Sequence, residues 1–240
     1  MDGYSGKKMS IIGVLLKIAG KDNFNLDPNI DMGYILQQCW KYGWMMVRGK
    51  FFSFGYKNIA NNVFIGKKVK VVEKKYLILG EKTKLQDNVY IDALSQDGVL
   101  IGNSVVIGRN TRIECTGGLQ SIGKGVRIGN RTTFGSDCIF GAAGGLEIGD
   151  DVVAGQFIRF HSENHNYTDL SKLIREQGVS HKGIKIGNNC WIGAGAVFLD
   201  GAELGNGCVV GANAVITKKF PDNVVVAGIP ATVIATRENT

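Results

Sequence analysis

The chain has little proline, 3 residues among 240, and it lacks any apolar run long enough to span a bilayer. The apolar segment from Ile11 to Ala19 is not followed by a small-residue cleavage site, so a signal-peptide layout is missing. The sequence has no CxxC pair, and its five cysteines are an odd number, which argues against a disulfide framework and a zinc site. We therefore expect a cytoplasmic protein without a structural metal.

The sequence also lacks a nucleic-acid-binding motif, although its net charge is +7 and its pI is about 9.1. Part of the positive charge lies in one stretch that two glutamates, Glu73 and Glu81, interrupt. Its lysines are Lys67, Lys68, Lys70, Lys74, Lys75, Lys82 and Lys84. A basic stretch without a recognition motif favours a solvated face, so we expect no nucleic-acid partner.

Glycine is abundant, with 34 residues, and much of it belongs to an internal repeat of six residues. Each unit opens with an apolar residue, and 13 of the 21 units carry glycine in second place. In sets of three, the openers are Ile59, Ile65, Val71; Leu79, Leu85, Ile91; Ile101, Ile107, Ile113; Ile122, Ile128, Phe134; Ile148, Ala154, Phe160; Ile186, Ile192, Phe198; and Leu204, Val210, Ile216.

Insertions interrupt the repeat only after every third unit. Their lengths are 2 residues after the Val71 unit, 4 after Ile91, 3 after Ile113, 8 after Phe134 and 20 after Phe160. Three units therefore make one rung, and seven rungs stack into a triangular prism whose insertions leave from one corner. Each unit is predicted to form a short strand and a turn, with glycine relieving the corner. Three cysteines stand fifth in their units and are predicted to be small buried packing residues: Cys138, Cys190 and Cys208.

The segment from Ile148 to Ile234 carries a family resemblance. It begins IGDDVVAGQFIRFHSENHNY and continues, from Ile186, as IGNNCWIGAGAVFLDGAELGNGCVVGANAVITKKFPDNVVVAGIPATVI. With its WIGAGA, VITK and AGIPA motifs, it resembles the hexapeptide-repeat acyltransferases, in particular the galactoside, maltose and colanic-acid acetyltransferase branch. The resemblance covers residues 59–237. It implies a mainly β, left-handed parallel β-helix, a homotrimer with acceptor sites between subunits, and acetyl transfer from acetyl-CoA. The handedness comes from the resemblance alone, because parallel crossovers are normally right-handed.

Residues 1–58 precede the repeat and are predicted to form an N-terminal helical extension. Asp27-Pro28 is a helix-start signal, and Ile30 to Phe52 has apolar residues at helical spacing. We expect this helix to pack on the prism. The alternative hypothesis is a peripheral contact at the inner face of the membrane, supported by the basic residues of this segment: Lys17, Lys21, Lys41, Arg48 and Lys50.

Acyl transfer to a hydroxyl needs a base, and histidine suits this role because its ordinary pKa lies close to neutral pH. The chain has three histidines, His161, His165 and His181, and all lie in or beside the long insertion, residues 161–183. A histidine in a loop is commonly only a solvated surface residue. The resemblance singles out His165, five residues after the opener Phe160, as the general base and leaves the other two as bystanders. No histidine precedes residue 161, so the metal site of the related γ-type carbonic anhydrases is not expected.

The resemblance also implies the contacts with acetyl-CoA, which we expect to lie in a groove between stacked rungs. Ala194 and Ala212 would offer backbone groups to the pantetheine arm. Thr217 and Lys218 would meet the nucleotide phosphates, for which a lysine is a suitable point charge. Trp191 matches a tryptophan that lines the acceptor site, and a plain packing role is the equal alternative.

The acceptor is expected to differ from that of the galactoside branch. Where that branch has an acceptor-binding asparagine, this chain has Gly135. We expect a sugar hydroxyl of a surface polysaccharide, in capsule or lipopolysaccharide, or of its precursor, acetylated by direct transfer. The alternatives are an amino-sugar N-acetyltransferase and a streptogramin-type antibiotic O-acetyltransferase. A non-enzymatic scaffold is the interpretation if His165 is dispensable.

Overall fold

The computed structural model describes residue 27, residues 29–118 and residues 120–238. Its helix, α1, spans Met32–Ser53. The predicted start at Asp27-Pro28 is wrong, because the Asp27 carboxylate instead accepts from the Asn29 N–H at 2.8 Å and forms a turn. Asp31 is the N-cap, and its side chain accepts from the Tyr34 N–H at 3.0 Å. Ile11–Ala19, Lys17, Lys21 and Pro28 lie outside the described residues.

The rest of the described chain forms short β-strands joined by turns and loops, with 3₁₀ turns at Lys74–Tyr76 and Ile174–Glu176. In chain order the strands are β1 (Phe64–Ile65), β2 (Lys70–Val72), β3 (Leu77–Leu79), β4 (Lys84–Leu85), β5 (Tyr90–Asp92), β6 (Val99–Ile101), β7 (Val106–Ile107), β8 (Arg112–Glu114), β9 (Val126–Ile128), β10 (Thr133–Phe134), β11 (Ile139–Gly141), β12 (Leu146–Ile148), β13 (Val153–Ala154), β14 (Arg159–His161), β15 (Asn164–His165), β16 (Val179–Ser180), β17 (Ile184–Ile186), β18 (Trp191–Ile192), β19 (Val197–Leu199), β20 (Glu203–Leu204), β21 (Val209–Val210), β22 (Val215–Ile216), β23 (Lys219–Phe220), β24 (Val224–Gly228) and β25 (Ala231–Thr236).

Three sheets form the sides of the prism. Sheet I has the order β1-β4-β7-β10-β13-β18-β21-β24-β25, sheet II the order β2-β5-β8-β11-β14-β19-β22, and sheet III the order β3-β6-β9-β12-β17-β20-β23. Pairing within the sheets is parallel, except that β25 folds back antiparallel on β24. The strands of the rungs therefore pair with their counterparts in the next rung, as the six-residue repeat predicts. The fold class is mainly β, built from parallel sheets.

The fourth rung differs from the prediction by one unit. Ile128 pairs with Ile101 and Ile148 in sheet III, so its rung consists of Ile128, Phe134 and Phe140 rather than the predicted set that began at Ile122. Ile122 is 46% exposed in a corner loop, whereas Phe140 is fully buried. The larger aromatic ring takes the interior position because it removes more apolar surface from water. The insertion after Ile113 is thus nine residues, and that after Phe140 is two.

The C-terminal end extends further than the repeat indicated. Phe220 in β23 pairs with Leu204, and Val226 in β24 pairs with Val210. These strands add a partial eighth rung, and β25 then turns back along β24. The spacing is irregular here, since Phe220 follows the Ile216 opener by only four residues.

Glycine has a different role at the corners from the one predicted. A Cβ on Gly66 would come within 2.5 Å of the Asp87 backbone nitrogen in the next rung, so glycine permits close stacking of rungs. The left-handed residue of the corner stands two places later, in fourth position, as at Asn88 (φ 60°), Asn110 (φ 58°) and Asp137 (φ 62°). Their side chains form a ladder, in which Asn88 donates to Asn110 at 3.0 Å and Asn110 donates to Asp137 at 2.9 Å.

The interior of the prism is a continuous apolar column. Four phenylalanines whose rings contact one another occupy its middle rungs: Phe134, Phe140, Phe160 and Phe198. The three fifth-position cysteines are buried here, as predicted. Burial raises the pKa of Cys138 and of Cys190 to about 11, so both remain protonated thiols at neutral pH.

Helix α1 packs against the first rung. The Arg48 Nε donates to the Ile65 carbonyl at 2.8 Å, and the Tyr42 ring meets the Phe64 ring edge-on at 6.1 Å. Gly49 is buried at the contact, where a Cβ would collide with the Val63 carbonyl. The predicted N-terminal helix is therefore present, and one of its faces lies on the prism.

Candidate active site

The long insertion connects β14 of sheet II to β17 of sheet III, and both of its ends are anchored. At the first end, buried Ser162 donates to the Gly141 carbonyl at 2.9 Å and accepts from the Gly144 N–H at 2.9 Å. At the last end, Asp200 Oδ1 accepts two backbone N–H groups, those of Lys182 and the following glycine, both at 2.8 Å. Asp200 is buried, and its second oxygen has no partner among the described residues. The loop therefore starts and ends at fixed points.

The two ends of the loop are also joined to each other. His181 Nε2 lies 2.7 Å from Glu163 Oε2, and both side chains are half-buried. A histidine held by a carboxylate is a common arrangement for a general base and the acid that orients it. His181 is thus a second candidate for the base, and it also closes the root of the loop.

Hydrogen bonds within the loop keep its outer part in shape. Strands β15 and β16 form a two-stranded antiparallel ladder, in which His165 lies opposite Val179. Beyond them, the Asn166 N–H donates to the Gly178 carbonyl at 3.0 Å. The Gln177 amide donates to the Asp169 carbonyl at 2.8 Å. A loop with this many internal bonds can present a side chain in a defined direction.

His165 lies on β15 with its side chain exposed to solvent. Within the described part of the chain, the structure records no hydrogen-bond or ion-pair partner for its imidazole. His161 is also exposed, but it lies at the end of β14, in register with Gly141 and Leu199 on sheet II. His165 is therefore the histidine that the loop presents on its own ladder with both ring nitrogens available.

The predicted acetyl-CoA residues lie around the last rungs of sheet II. Ala194 and Ala212 lie in consecutive rungs, at the corner between sheet I and sheet II. The Asn213 N–H donates to the Ala194 carbonyl at 2.9 Å. Thr217 and Lys218 follow β22 at the far edge and are exposed. That edge lies two rungs, about 10 Å, beyond the strand from which the loop departs.

Trp191 lies on the outer surface of sheet I beside Val153 and is 61% exposed. Because its side chain is not part of the core of the single chain, the structure disfavours the packing role that was the alternative to lining the acceptor site. The grooves along sheet III described below contain none of His165, Trp191 and the four predicted acetyl-CoA residues in their lining. All six residues stay predictions: His165 lies on the loop after β14, Trp191 and Ala194 lie in the next rung, and Ala212, Thr217 and Lys218 lie in the rung after that.

Two residues of this region were missed by the sequence analysis, Glu163 and Asp200. Their roles depend on partners 17 and 18 positions away, which no local spacing reveals. In the sequence, Asp200-Gly201 indicates only a turn, so it gives no sign that Asp200 binds the end of the loop.

Grooves along sheet III are lined by other residues. One of them contains four basic side chains, Lys124, Arg127, Lys182 and Lys185, with Asp97 and Glu147. Among residues 27, 29–118 and 120–238, no group of three or more histidine, cysteine or acidic side chains is placed to hold a metal ion. In that same part of the chain, no helix has the length and apolarity needed to cross a membrane.

Two models of hexapeptide repeats match the sequence. The first, described as bacterial transferase hexapeptide (six repeats), matches residues 183–218. The second, described as hexapeptide repeat of succinyl-transferase, matches residues 125–155. Both matches fall on rungs of the prism.

Curated relatives match part of the chain. A probable acetyltransferase of Mycobacterium tuberculosis is 30% identical over 113 residues, which are 47% of this chain and 38% of the relative. Protein CapG of Staphylococcus aureus is 39% identical over 115 residues, 45% of this chain and 63% of the relative. A galactoside O-acetyltransferase of Lactococcus lactis is 30% identical over 87 residues, 36% of this chain and 41% of the relative. The chain spans between 38% and 63% of the length of these relatives.

Solved structures share the architecture. A variant of AntD, an N-acyltransferase from Bacillus cereus, in complex with dTDP-4-amino-4,6-dideoxyglucose and coenzyme A, is 15% identical with a TM-score of 0.53, covering 80% of this chain and 90% of AntD. AntD with dTDP and 3-hydroxybutyryl-CoA is 14% identical with a TM-score of 0.52, covering 80% and 88%. At this identity the likeness concerns the fold alone. Together with the repeat matches, it confirms the predicted left-handed parallel β-helix.

Proposed function

We propose, from the premise that the chain belongs to the hexapeptide-repeat acyltransferase family, that it transfers an acetyl group from acetyl-CoA to a sugar hydroxyl, with His165 as general base. The observation that carries the proposal is the position of His165, which is exposed and without an internal partner on a braced loop that follows β14, an interior strand of sheet II. A base must reach the proton of a bound substrate, and a free ring nitrogen on a fixed hairpin meets that requirement.

The reaction proceeds by direct transfer. His165 accepts the proton of the acceptor hydroxyl while the oxygen attacks the thioester carbonyl. The tetrahedral intermediate then collapses, the carbon–sulfur bond breaks, and the CoA sulfur leaves and takes up the proton. The nearest hydroxyl in sequence, that of Ser162, is buried and bonded to the backbone. The cysteines with raised pKa remain thiols, so none of them supplies a thiolate for an acyl-enzyme.

Acetyl-CoA is the proposed donor. One AntD complex contains coenzyme A and the other 3-hydroxybutyryl-CoA on the same architecture, which supports a CoA thioester as the donor. In our proposal the pantetheine arm runs along the corner of Ala194, which is half-buried, and Ala212, which is exposed in the next rung. Thr217 and Lys218, both exposed, contact the phosphates at the β22 edge of sheet II.

Lys218→Ala is expected to raise the Michaelis constant for acetyl-CoA several-fold with nearly unchanged turnover, because it removes a phosphate contact that ground state and transition state share. The neighbouring Lys219 provides a matched control, since its ammonium is paired with Glu203 at 2.8 Å. Lys219→Ala is expected to leave the constant near the wild-type value. Initial rates at varied acetyl-CoA concentration measure both. Equal constants for Lys218→Ala and the wild type would remove Lys218 from the donor site.

The proposed acceptor is a sugar hydroxyl of a surface polysaccharide or its precursor. A galactoside O-acetyltransferase among the relatives supports a sugar hydroxyl, whereas the AntD likeness keeps amino-sugar N-acylation as the second candidate. Release of free thiol from acetyl-CoA can be followed with capsular and lipopolysaccharide oligosaccharides, amino-sugar nucleotides and streptogramins in parallel. We expect turnover with the oligosaccharides. Turnover restricted to amino-sugar nucleotides, or to streptogramins, would show that the proposed acceptor is wrong. No thiol release with any of these classes would contradict acetyl-CoA as the donor.

We further propose a homotrimer. Sheet I presents Trp191 and Val153 on its outer surface, and flat prisms bury such apolar faces against each other in a closed threefold ring. This arrangement would also place the acceptor site between two subunits. Light scattering should give a mass near three times the 25.9 kDa of one chain. A mass of one chain at micromolar concentration would rule the trimer out.

A further inference from the structure

Helix α1 has two opposite faces, of which one is covered. Met45, Gly49 and Ser53 are buried against the prism. The opposite face is an exposed stripe of large apolar residues: Leu36, Trp40, Trp44, Val47 and Phe51. At about 100° per residue, the stripe spans about 80° of the helix circumference, and its centre lies about 180° from the buried face. We call these five residues the apolar stripe.

The apolar stripe is more than scattered surface hydrophobics. Trp40 is 71% exposed, Trp44 is 48% exposed and Phe51 is 80% exposed. The two indole rings meet edge-on with centroids 5.8 Å apart, so they form one continuous surface. Phe54, directly after the helix, is exposed as well. A contiguous exposed apolar surface of this kind marks an interaction site.

The charge of the protein is concentrated at the same end of the prism. Residues 41–84 contain 11 lysines and arginines and two glutamates, whereas the other residues contain 17 lysines and arginines and 19 acidic residues. Lys41 and Lys50 lie on the two sides of the apolar stripe, and both are exposed. Lys67 and Lys68 are exposed in the first rung, next to the helix. We call residues 41–84 the basic end; the net charge of the rest of the chain is negative.

We propose that α1 and the basic end bind the surface of an anionic phospholipid bilayer, with the helix in the plane of the interface and the apolar stripe inserted. Aromatic residues on one side and lysines along the borders are the features of helices that lie in a membrane interface. Anionic headgroups complement the basic end, and they attract clustered lysines near the surface. This inference does not rest on the proposed reaction, although a lipid-linked sugar would lie within reach of an enzyme held there.

Charge also favours a bilayer over two other partners that could cover the apolar stripe, a second copy of the chain and residues 1–26. A second copy pairing through the stripe would bring two basic ends together, with strong repulsion between them. Residues 1–26 of the chain contain Lys7, Lys8, Lys17 and Lys21 against Asp2 and Asp22, so they do not complement the basic end either. A negatively charged lipid surface complements both the stripe and the charge.

The test uses the full chain in flotation with vesicles of phosphatidylglycerol and phosphatidylcholine, and with vesicles of phosphatidylcholine alone. Binding is expected to the anionic vesicles and to weaken with added salt. Trp40→Ser/Trp44→Ser should reduce binding by about tenfold or more, because it removes the inserted rings. Ile122→Ser, at another exposed apolar position, is the matched control and should bind like the wild type. Lys41→Glu/Lys67→Glu should also reduce binding, whereas Lys172→Glu/Arg175→Glu, at exposed positions of the long loop, should not.

Fluorescence identifies the inserted residues. In a Trp191→Phe variant, Trp40 and Trp44 are the only tryptophans, and under tryptophan-selective excitation their emission should shift to the blue and be quenched by brominated lipid. Equal flotation of Trp40→Ser/Trp44→Ser and wild type would overturn the proposal, as would absence of flotation. Indoles already shielded from acrylamide without vesicles would assign the stripe to residues 1–26 or a second copy. If a second copy covers the stripe, light scattering would show a larger assembly for the wild type than for Trp40→Ser/Trp44→Ser. Flotation measures membrane binding without catalysis, so its result can be interpreted even if the acetyl-transfer assay fails.

Discussion

His165→Ala is expected to lower turnover by about 10²- to 10⁴-fold, the usual cost of losing a general base. The side chain is exposed and has no recorded hydrogen bond or ion pair within the described chain, so thermal stability and acetyl-CoA affinity should stay near wild type. Thiol release under saturating substrates measures turnover, and melting curves with and without acetyl-CoA measure the other two properties.

The controls for this experiment are the other two histidines. His161→Ala and His181→Ala should each keep most of the activity. The second tests the competing base, because His181 contacts Glu163 at 2.7 Å. Glu163→Gln removes the charge of that carboxylate and keeps its size. If His181 is the base, His181→Ala and Glu163→Gln will both abolish turnover while His165→Ala remains active, and our assignment will be wrong. An inactive His161→Ala would equally overturn the assignment.

The repeat was readable from sequence because the fold imposes a strict period. Each unit must place one apolar residue inside, and only one corner tolerates insertions, so Ile65, Leu85 and Ile107 stack in the register that their spacing predicts. The fourth rung was misassigned because Ile122-Gly123 matches the apolar-glycine start of a repeat unit, although Ile122 is not buried. Spacing alone does not distinguish an apolar residue in a corner loop from one that faces the core, whereas packing does.

The site was less predictable than the fold. His165 was singled out by family resemblance, since three histidines within 21 residues differ little in local sequence. Which of them is tied to a carboxylate depends on how the loop closes, and that closure brings Glu163 to His181 and Asp200 to the backbone at Lys182. Such contacts join residues far apart in sequence, so they emerge only from the folded chain. The exposed stripe of α1 likewise became visible only when Met45, Gly49 and Ser53 were seen to be the buried face.

Phe160→Ala is expected to destabilise the protein by about 3–5 kcal/mol, the usual cost of removing a buried phenylalanine ring. The ring is fully buried, stacks on Phe198 at 5.1 Å and meets Phe140 at 4.9 Å. Each rung is stabilised mainly by its neighbours, so a cavity in the middle of the column weakens two rung interfaces at once. Phe51→Ala, the same substitution at an 80% exposed position, is the matched control and should change stability little. Urea unfolding followed by circular dichroism compares the midpoints. A similar midpoint for both variants would mean that the phenylalanine column does not carry the stability of these rungs. Because Phe160 directly precedes His161 and the loop, activity should also fall at temperatures where the Phe160 variant is still folded, if the middle rungs hold the loop in place.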